Sequence, residues 1–206
     1  MLTTSLPQEK LDPRVRRTRA LIERAFSELL TEKGFHAITV QDITERAEIN
    51  RATFYAHFSD KYALLESSIQ QAFRQELEKR TLNACHYSEQ NLNALLVTVC
   101  EFIARSSGHC KSIESQFESL VETQVRQQIR LLLELWLNQV GSDIDPVIAA
   151  TAASWVVYGL AQEWSHEKNR PAAEEYVGRI LPIVLANLRL KQPGELTGGT
   201  HARDTA

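Results

Sequence analysis

Apolar residues recur at spacings of three and four along most of the chain, which is the period of an amphipathic α-helix. The first such stretch begins near Arg14 and ends at Gly34, a residue type that often follows the last turn of a helix. Its inward stripe consists of Ile22, Phe26, Leu29 and Leu30. Residues 112–140 fit one long helix or two shorter ones. Because no strand-like alternation interrupts these patterns, the sequence predicts an all-α fold.

Two short helices are predicted directly after the first long one. Thr39 and Asp42 form a capping-box pattern that starts a helix running to about Ala47. Asn50 is a good N-cap for a second short helix over residues 51–57. Two short helices joined by a tight turn, after a longer supporting helix, are typical of a helix-turn-helix.

The remaining boundaries follow from caps and from breaks in the pattern. Asp145 followed by Pro146 predicts the start of one late helix, and Pro171 at the first helical position predicts the start of the last. The sequence therefore divides into a flexible arm, a helix-turn-helix domain, a helical bundle and a flexible tail. These four segments cover residues 1–13, 14–59, 60–191 and 192–206.

Composition is ordinary for a soluble globular protein, with 43% hydrophobic and 24% charged residues in 206. The net charge of −3 is unevenly placed, since residues 1–62 carry a net +1 and residues 63–206 a net −4. The first of these parts contains a cluster of five arginines. They are Arg14, Arg16, Arg17, Arg19 and Arg24. This asymmetry favours a basic N-terminal module on an acidic body, although a charge run is often only a solvated helix face.

Several features predict a cytoplasmic protein. The first ten residues lack the apolar stretch of a signal peptide, and the chain has no run of 18 apolar residues that could span a membrane, so no membrane partner is expected. Its three cysteines, Cys85, Cys100 and Cys110, are too few and scattered for a disulfide framework.

The second short helix has the chemistry of a recognition helix in a DNA major groove. Arg51 can bond guanine O6 and N7, and Thr53 offers both a hydroxyl and a methyl group to a base. Donors for phosphate are predicted around this helix, at Thr39, Tyr55, His57 and Lys61. Phe54 and Phe58 are four residues apart and are expected to anchor the helix in the core. The alternative is a plain helical hairpin, but packing alone explains Tyr55 and His57 less well.

At these residues the sequence resembles a known family. The stretch TVQDITERAEINRATFYAHFSDK, residues 39–61, is similar to the DNA-binding signature of the TetR/AcrR family of transcriptional regulators, and the resemblance extends over residues 14–65. It implies a dimeric, repressor-type regulator with three N-terminal helices for a palindromic DNA operator and about six more for dimerisation and ligand sensing. It also implies that Gln41 faces bases together with Arg51 and Thr53.

The sequence departs from the family pattern at three positions of this motif. They are Thr44, Glu48 and Ala52, where the family usually has small residues or glycine. Glu48 replaces the turn glycine, so it must adopt a backbone conformation that glycine adopts more easily, and its charge lies near DNA. These changes bear on turn geometry and sequence preference.

The last two helices are apolar nearly all round, which predicts burial on both sides. We infer a four-helix homodimer interface made by these two helices of each subunit, as the resemblance also implies. The residues predicted there are Val156, Leu160, Ile180, Val184 and Leu188. The alternative is a central core helix in a monomer.

A pocket for an unidentified small-molecule effector is predicted between bundle helices. Five aromatic residues are candidates to line it, although aromatics at helical spacing are also simple core. They are Phe102, Phe117, Trp136, Trp155 and Tyr158. No cofactor is expected. The Cys85-His86 and His109-Cys110 pairs could recruit a metal, but adjacent residues on a helix point apart, so no metal site is expected.

Motifs of common enzymes, such as a nucleophile elbow, a phosphate-binding glycine loop or a metalloprotease helix, do not occur in the sequence. The prediction is therefore a non-enzymatic DNA-binding regulator. The alternative is a helical adaptor for other proteins whose helix-turn-helix no longer works. The complete set of Arg51, Thr53, Tyr55, His57 and Lys61 argues against that alternative.

Overall fold

The computed structural model describes residues 12–80, 86–108 and 115–190, with side chains described at 12–80, 86–106 and 118–190. Within these ranges no β-strand forms beyond a single bridge between Ser142 and Leu190, which confirms the all-α fold. The helices are α1 Pro13–Ala37, α2 Val40–Arg46, α3 Arg51–Tyr55, α4 Lys61–Arg80, α5 Glu89–Gly108, α6 Ser115–Val140, α7 Pro146–His166 and α8 Ala173–Leu188. The predicted tail and most of the predicted arm lie outside the described residues.

The helices depart from the sequence prediction in two places. The described residues contain five helices after the first three, not about six, because α6 runs unbroken from Ser115 to Val140 without glycine or proline. The last helix begins at Ala173, with Ala172 at its N-cap and no side-chain cap. The prediction that Pro171 occupies the first helical position is therefore wrong. By contrast, Asp145 caps α7 as predicted, and its carboxylate accepts the N–H groups of Val147 and Ile148.

Gly34 interrupts α1 near its C-terminal end. Its backbone has φ 72° and ψ 162°, values that an L-residue with a Cβ rarely adopts. No neighbouring atom lies within 4 Å of the position that a Cβ would occupy there. The constraint on this position is thus conformational rather than steric, and the glycine marks a helix break as predicted, with one further turn after it.

The chain divides into two compact units, Met1–Gln75 and Glu76–Ala206. The first unit has a small core to which α1, α2, α3 and the start of α4 each contribute. Its fully buried side chains include Ile22, Phe26, Ile38, Ile43, Phe54, Leu64 and Leu65. Phe58 is 5% exposed, and its ring centroid lies 6.0 Å from that of Phe54. The two phenylalanines therefore anchor α3 as predicted.

In the second unit α7 is the central helix and packs against α5, α6 and α8. Its inner side is built from alanines, which allow close approach of the neighbouring helices. They are Ala149, Ala150, Ala153 and Ala161, all completely buried. The same unit buries Trp136, Val125 and Ile129 of α6 and Leu92 and Leu95 of α5.

Three of the predicted dimer-interface residues face this internal core. Ile180, Val184 and Leu188 are 5%, 0% and 1% exposed within a single chain. They already pack against the chain's own helices, so they cannot form the surface that meets a second copy, and that part of the prediction is corrected. Val156 and Leu160 are partly exposed.

The exposed apolar surface lies on other positions of the same two helices. On α7 the exposed positions Ile148, Ala152, Trp155 and Gly159 follow one another at spacings of four, three and four. On α8 the exposed positions include Gly178, Pro182, Ile183 and Ala186. We call these eight residues the outer stripe. Ile148, Trp155 and Ile183 are 64%, 53% and 49% exposed, which is unusual for large apolar side chains.

Candidate nucleic-acid interface

The start of α2 has the predicted capping box. The Thr39 hydroxyl accepts the N–H of Asp42 at 3.2 Å, and the Thr39 N–H donates to the Asp42 carboxylate at 2.7 Å. Two backbone N–H groups at the helix end thereby obtain partners. Lys33 of α1 bonds the same carboxylate at 2.8 Å and ties the start of α2 to α1.

These contacts hold the pKa of the Asp42 carboxyl well below its usual range. The largest cause is the hydrogen bond from the Lys33 ammonium, followed by those from the Thr39 hydroxyl and N–H. Because the folded state favours the ionised form, the carboxylate contributes stability at pH above the usual aspartate pKa of about 3.9. That contribution is lost progressively as the pH falls towards the depressed folded value.

We therefore expect Asp42→Asn to flatten the acid side of the stability profile. The wild type should lose stability from about pH 5 downwards more steeply than the variant, and the variant should be the less stable of the two at neutral pH. Urea midpoints measured at a series of pH values check this. Parallel profiles for the two proteins would show that Asp42 is not coupled to folding.

The turn between α2 and α3 contains a strained residue. Glu48 has φ 54°, in the left-handed region, as its replacement of a turn glycine predicted. Its N–H donates to the Glu45 carbonyl at 3.2 Å, and the following N–H of Ile49 donates to the Thr44 carbonyl at 3.0 Å. These hydrogen bonds fix the sharp turn. The Cβ of Glu48 raises the free energy of this left-handed backbone conformation.

We expect Glu48→Gly to stabilise the protein by about 0.5–1 kcal/mol, because glycine adopts this conformation without strain but loses more entropy on folding. Glu45→Gly, in the helical part of the same motif, is the matched control. It should destabilise by about 1 kcal/mol. Urea denaturation of both variants gives the comparison. A Glu48→Gly variant as unstable as Glu45→Gly would contradict the strained turn.

The recognition helix α3 is held at its start by Asn50. The Asn50 side-chain oxygen accepts the Thr53 N–H at 2.7 Å, which confirms the predicted N-cap. With Phe54 and Phe58 turned into the core, Arg51 and Tyr55 lie on the exposed side of the helix, and Tyr55 is 50% exposed. Among the described residues, the side chains of Arg51, Tyr55 and His57 make no hydrogen bond. Their donors are thus available to a ligand.

Two of the predicted base-reading residues are oriented by neighbours. The Thr53 hydroxyl donates to the Asn50 side-chain oxygen at 3.0 Å, so its outward side presents a methyl group and an acceptor. The Gln41 amide donates one hydrogen to Glu45 at 2.8 Å and keeps its oxygen and second hydrogen. An amide in this state can still bond adenine in a bidentate manner. Asn50 and Glu45 therefore belong to the site, although sequence reasoning assigned Asn50 only a capping role and Glu45 none.

Two of the predicted phosphate donors are occupied within the protein. The Thr39 hydroxyl donates its only hydrogen to Asp42 at 2.6 Å. The Lys61 ammonium lies 3.2, 3.3 and 2.9 Å from the carbonyls of Phe35, His36 and Ile38, and 4.6 Å from the centroid of the Phe35 ring. In this conformation neither group has a hydrogen left for phosphate. In this conformation Lys61 fastens the start of α4 to the end of α1. The phosphate role stays a prediction for all four residues, and for Thr39 and Lys61 it requires these internal bonds to break.

The four candidate pocket residues whose side chains are described differ in exposure and in their neighbours. Phe102, Trp136 and Tyr158 are buried in the bundle, and burial raises the pKa of Tyr158 to about 12. Trp136 packs edge-on against Tyr87, whereas Trp155 is exposed and lies under the guanidinium of Arg126 at 3.4 Å. The side chain of Phe117 lies outside the described residues. The ligand pocket stays a prediction.

Two kinds of feature are absent from the described ranges. None of their helices is long and apolar enough to cross a bilayer. None of their His, Cys, Asp and Glu side chains come together in a group of three or more that could hold a metal ion. Cys85, His109 and Cys110 of the two Cys/His pairs lie outside the described residues.

Comparison with known proteins agrees with this geometry. Residues 22–67, from α1 to the start of α4, match the family model of bacterial regulatory proteins, tetR family. An uncharacterized HTH-type transcriptional regulator of Bacillus subtilis, YxbF, is 32% identical over 133 residues, 59% of this chain and 35% of that protein. The dhaKLM operon transcriptional activator DhaS of Lactococcus lactis is 32% identical over 39% of this chain and 41% of its own length. The chain thus spans less than half of both relatives.

A solved structure shares the fold. The fatty acid degradation regulator FadR from Bacillus halodurans superposes with a TM-score of 0.51 over 84% of this chain and 97% of that one. The sequence identity is 16%. At this identity the likeness extends to the arrangement of helices and not to what they bind.

Proposed function

We infer that the chain, which belongs through its helix-turn-helix domain to the TetR/AcrR family of transcriptional regulators, binds a palindromic DNA operator as a homodimer. This inference rests on the arrangement of the side chains of α3. Its exposed side presents the unpaired donors of Arg51 and Tyr55, with His57 beside them, while Phe54 and Phe58 fix the helix from within. A protein adaptor with a non-functional helix-turn-helix has no need to keep these donors free.

Arg51 at the first position of α3 is the main base-reading residue in this proposal. Its guanidinium can bond guanine O6 and N7 together, the commonest specific contact in major grooves. Thr53 contributes a methyl group and an acceptor, and Gln41 a bidentate amide, to neighbouring base pairs. Tyr55 and His57 donate to phosphates, which set the register of the helix but carry no sequence information.

The outer stripe is the surface proposed for the second copy. It joins large apolar side chains on α7 to small residues on both helices, and small residues permit close approach of helices from two subunits. A two-fold dimer places the same stripe on both sides of the interface. Such a dimer also presents two recognition helices, one from each subunit, to DNA half-sites roughly 34–36 Å apart.

We expect Ile148→Asp and Ile183→Asp to convert the dimer to monomer while leaving the chain folded, because both side chains are exposed within one subunit. Val184→Asp is the contrasting variant, since it puts a charge in the core and should unfold the bundle. Light scattering gives the molar mass and circular dichroism the helix content. Folded dimers of both exposed variants would place the interface elsewhere.

Regulation is proposed to act through a small-molecule effector bound by the second unit. The dimer is proposed to have two states, one in which the spacing of the recognition helices matches the operator and one in which it does not. A ligand that binds the second state more tightly lowers the affinity for DNA, by an amount set by the ratio of its affinities for the two states. Repression is the simpler outcome because it needs only occupancy of the operator. The relative DhaS is named a transcriptional activator, which is the opposite direction of regulation. A cytoplasmic location follows from this role.

Selection from random-sequence duplexes tests the proposal directly. Repeated rounds of binding to the purified full chain should enrich a palindrome with half-sites about one helical turn apart, or a multiple of that spacing. Transcription from a promoter carrying the enriched sequence then gives the sign of regulation. Failure to enrich any sequence would remove DNA recognition and favour the adaptor.

A further inference from the structure

The first turns of α1 carry three arginines that the recognition helix does not account for. Arg14, Arg16 and Arg17 are all exposed. Among the described residues none of their guanidinium groups makes a hydrogen bond or ion pair. Three other arginines of the same unit are engaged: Arg19 bonds Glu23 and Ser67, Arg24 bonds Glu28, and Arg46 bonds Glu28 and Glu32. We call the three unengaged residues the α1 cluster.

Arg16 lies on the side of α1 that faces the connector after the recognition helix. It precedes Arg19 by three residues and therefore shares its face. The Arg19 guanidinium lies 4.9 Å from the centroid of Phe58 and bonds the Ser67 hydroxyl at 2.6 Å. Phe58 directly follows His57, one of the predicted phosphate donors. Arg16 thus lies one helical turn along α1 from Arg19, the residue that contacts this connector.

Arg17 lies on the side of α1 that faces the turn before the recognition helix. It precedes Leu21 by four residues and Arg24 by seven, so the three share one face. Leu21 and Arg24 line a groove together with Ala47 and Glu48 of the α2–α3 turn. Arg14 is one turn before Arg17 on this same side. The α1 cluster therefore lies about one helical turn along α1 from residues that border both of the segments flanking α3.

We propose that the α1 cluster is a second DNA-backbone contact, which binds phosphates of the duplex outside the base pairs that α3 reads. The chemistry fits because guanidinium groups bond phosphate oxygens in pairs, and these three have no ion pair to break among the described residues. Each phosphate that they neutralise releases condensed counterions, so the contact strengthens binding at low salt. This inference rests on the proposed function and lengthens the DNA site on both sides.

The test compares two duplexes carrying the enriched palindrome. One ends at the outer edges of its half-sites, and the other continues for about ten base pairs, one helical turn, on each side. Affinities of the 206-residue chain are measured over a range of salt concentrations. The variant is Arg14→Gln/Arg16→Gln/Arg17→Gln. Arg24→Gln is the control, because it removes a charge from the same helix at a residue that is exposed but paired with Glu28.

On the longer duplex the triple variant should lose about 0.9 from the salt slope for each phosphate contact removed, or about two to three for each protomer. On the shorter duplex its slope should match that of the wild type. Arg24→Gln should change neither slope by more than a small fraction of this. An unchanged slope on the longer duplex overturns the proposal, and so does an equal loss on both duplexes.

Arg51→Ala separates failure of this inference from failure of the proposed function. If Arg51→Ala loses the preference for the palindrome while the triple variant keeps the wild-type salt slope, only the α1 cluster is refuted. If Arg51→Ala binds the palindrome as tightly as the wild type does, α3 is not the reading element. The proposed function then fails and this inference fails with it. Circular dichroism of each variant confirms that the helices are intact.

Discussion

Replacing Arg51 by alanine is expected to abolish much of the sequence preference of the protein. Arg51 is the first residue of α3, is exposed, and has a guanidinium that bonds no other described residue. A bidentate contact to guanine is worth about 1–3 kcal/mol of discrimination, so affinity for the preferred sequence should fall by about 5- to 150-fold. Affinity for unrelated DNA should fall far less. Competition titrations with the enriched and a scrambled duplex measure the difference.

Arg51→Lys is the matched control for this prediction. It keeps the positive charge but replaces a planar fork with a compact ammonium, so it cannot reproduce the bidentate contact. It should retain most non-specific affinity while losing preference for the palindrome. Equal weakening by Arg51→Ala on every sequence would mean that the residue contacts phosphate rather than a base.

Replacing Lys61 by methionine is expected to destabilise the first unit rather than to change its electrostatic affinity for DNA. The variant keeps an apolar stem but leaves the carbonyls of Phe35, His36 and Ile38 without the ammonium that bonds them. Hydrogen bonds to a charged group are the stronger kind, and Lys61 is only partly exposed. We expect a loss of about 2 kcal/mol, which is about a thirty-fold loss of hydrogen-exchange protection in α1 and α4.

Lys79→Met is the control, because Lys79 lies on the same helix in an exposed ion pair with Glu76, and such pairs contribute little. Its exchange protection should match that of the wild type. If Lys61→Met instead keeps full protection and lowers the salt slope of DNA binding by about one, Lys61 contacts phosphate as the sequence first predicted.

Much of the DNA-binding domain could be predicted from sequence because its signals are local. The capping box at Thr39, the N-cap at Asn50 and the core pair Phe54 and Phe58 each depend on residues a few positions apart. The left-handed conformation of Glu48 could be predicted because Glu48 stands where the family motif has a turn glycine. Patterns that span only a few residues can be recognised in a single sequence without any knowledge of tertiary contacts.

The sequence did not reveal contacts whose two partners are distant along the chain. Lys61 bonds carbonyls 23 to 26 residues away, which no local pattern reveals. The interface residues were misplaced for a related reason. Helices α7 and α8 are apolar on two sides, so periodicity could not say which side the chain itself covers. The exposed fractions of Ile148 and Ile183, against the burial of Ile180 and Val184, decide it.

The central claim is that α3 reads a DNA sequence. It is tested most directly by titrating the purified 206-residue chain with the duplex enriched by selection and with a scrambled duplex of the same composition, at two salt concentrations. A specific regulator should prefer the enriched duplex by about 10³-fold or more near physiological salt, and the preference should depend on Arg51. Equal, salt-labile binding to both duplexes, unaffected by Arg51→Ala, would contradict the claim.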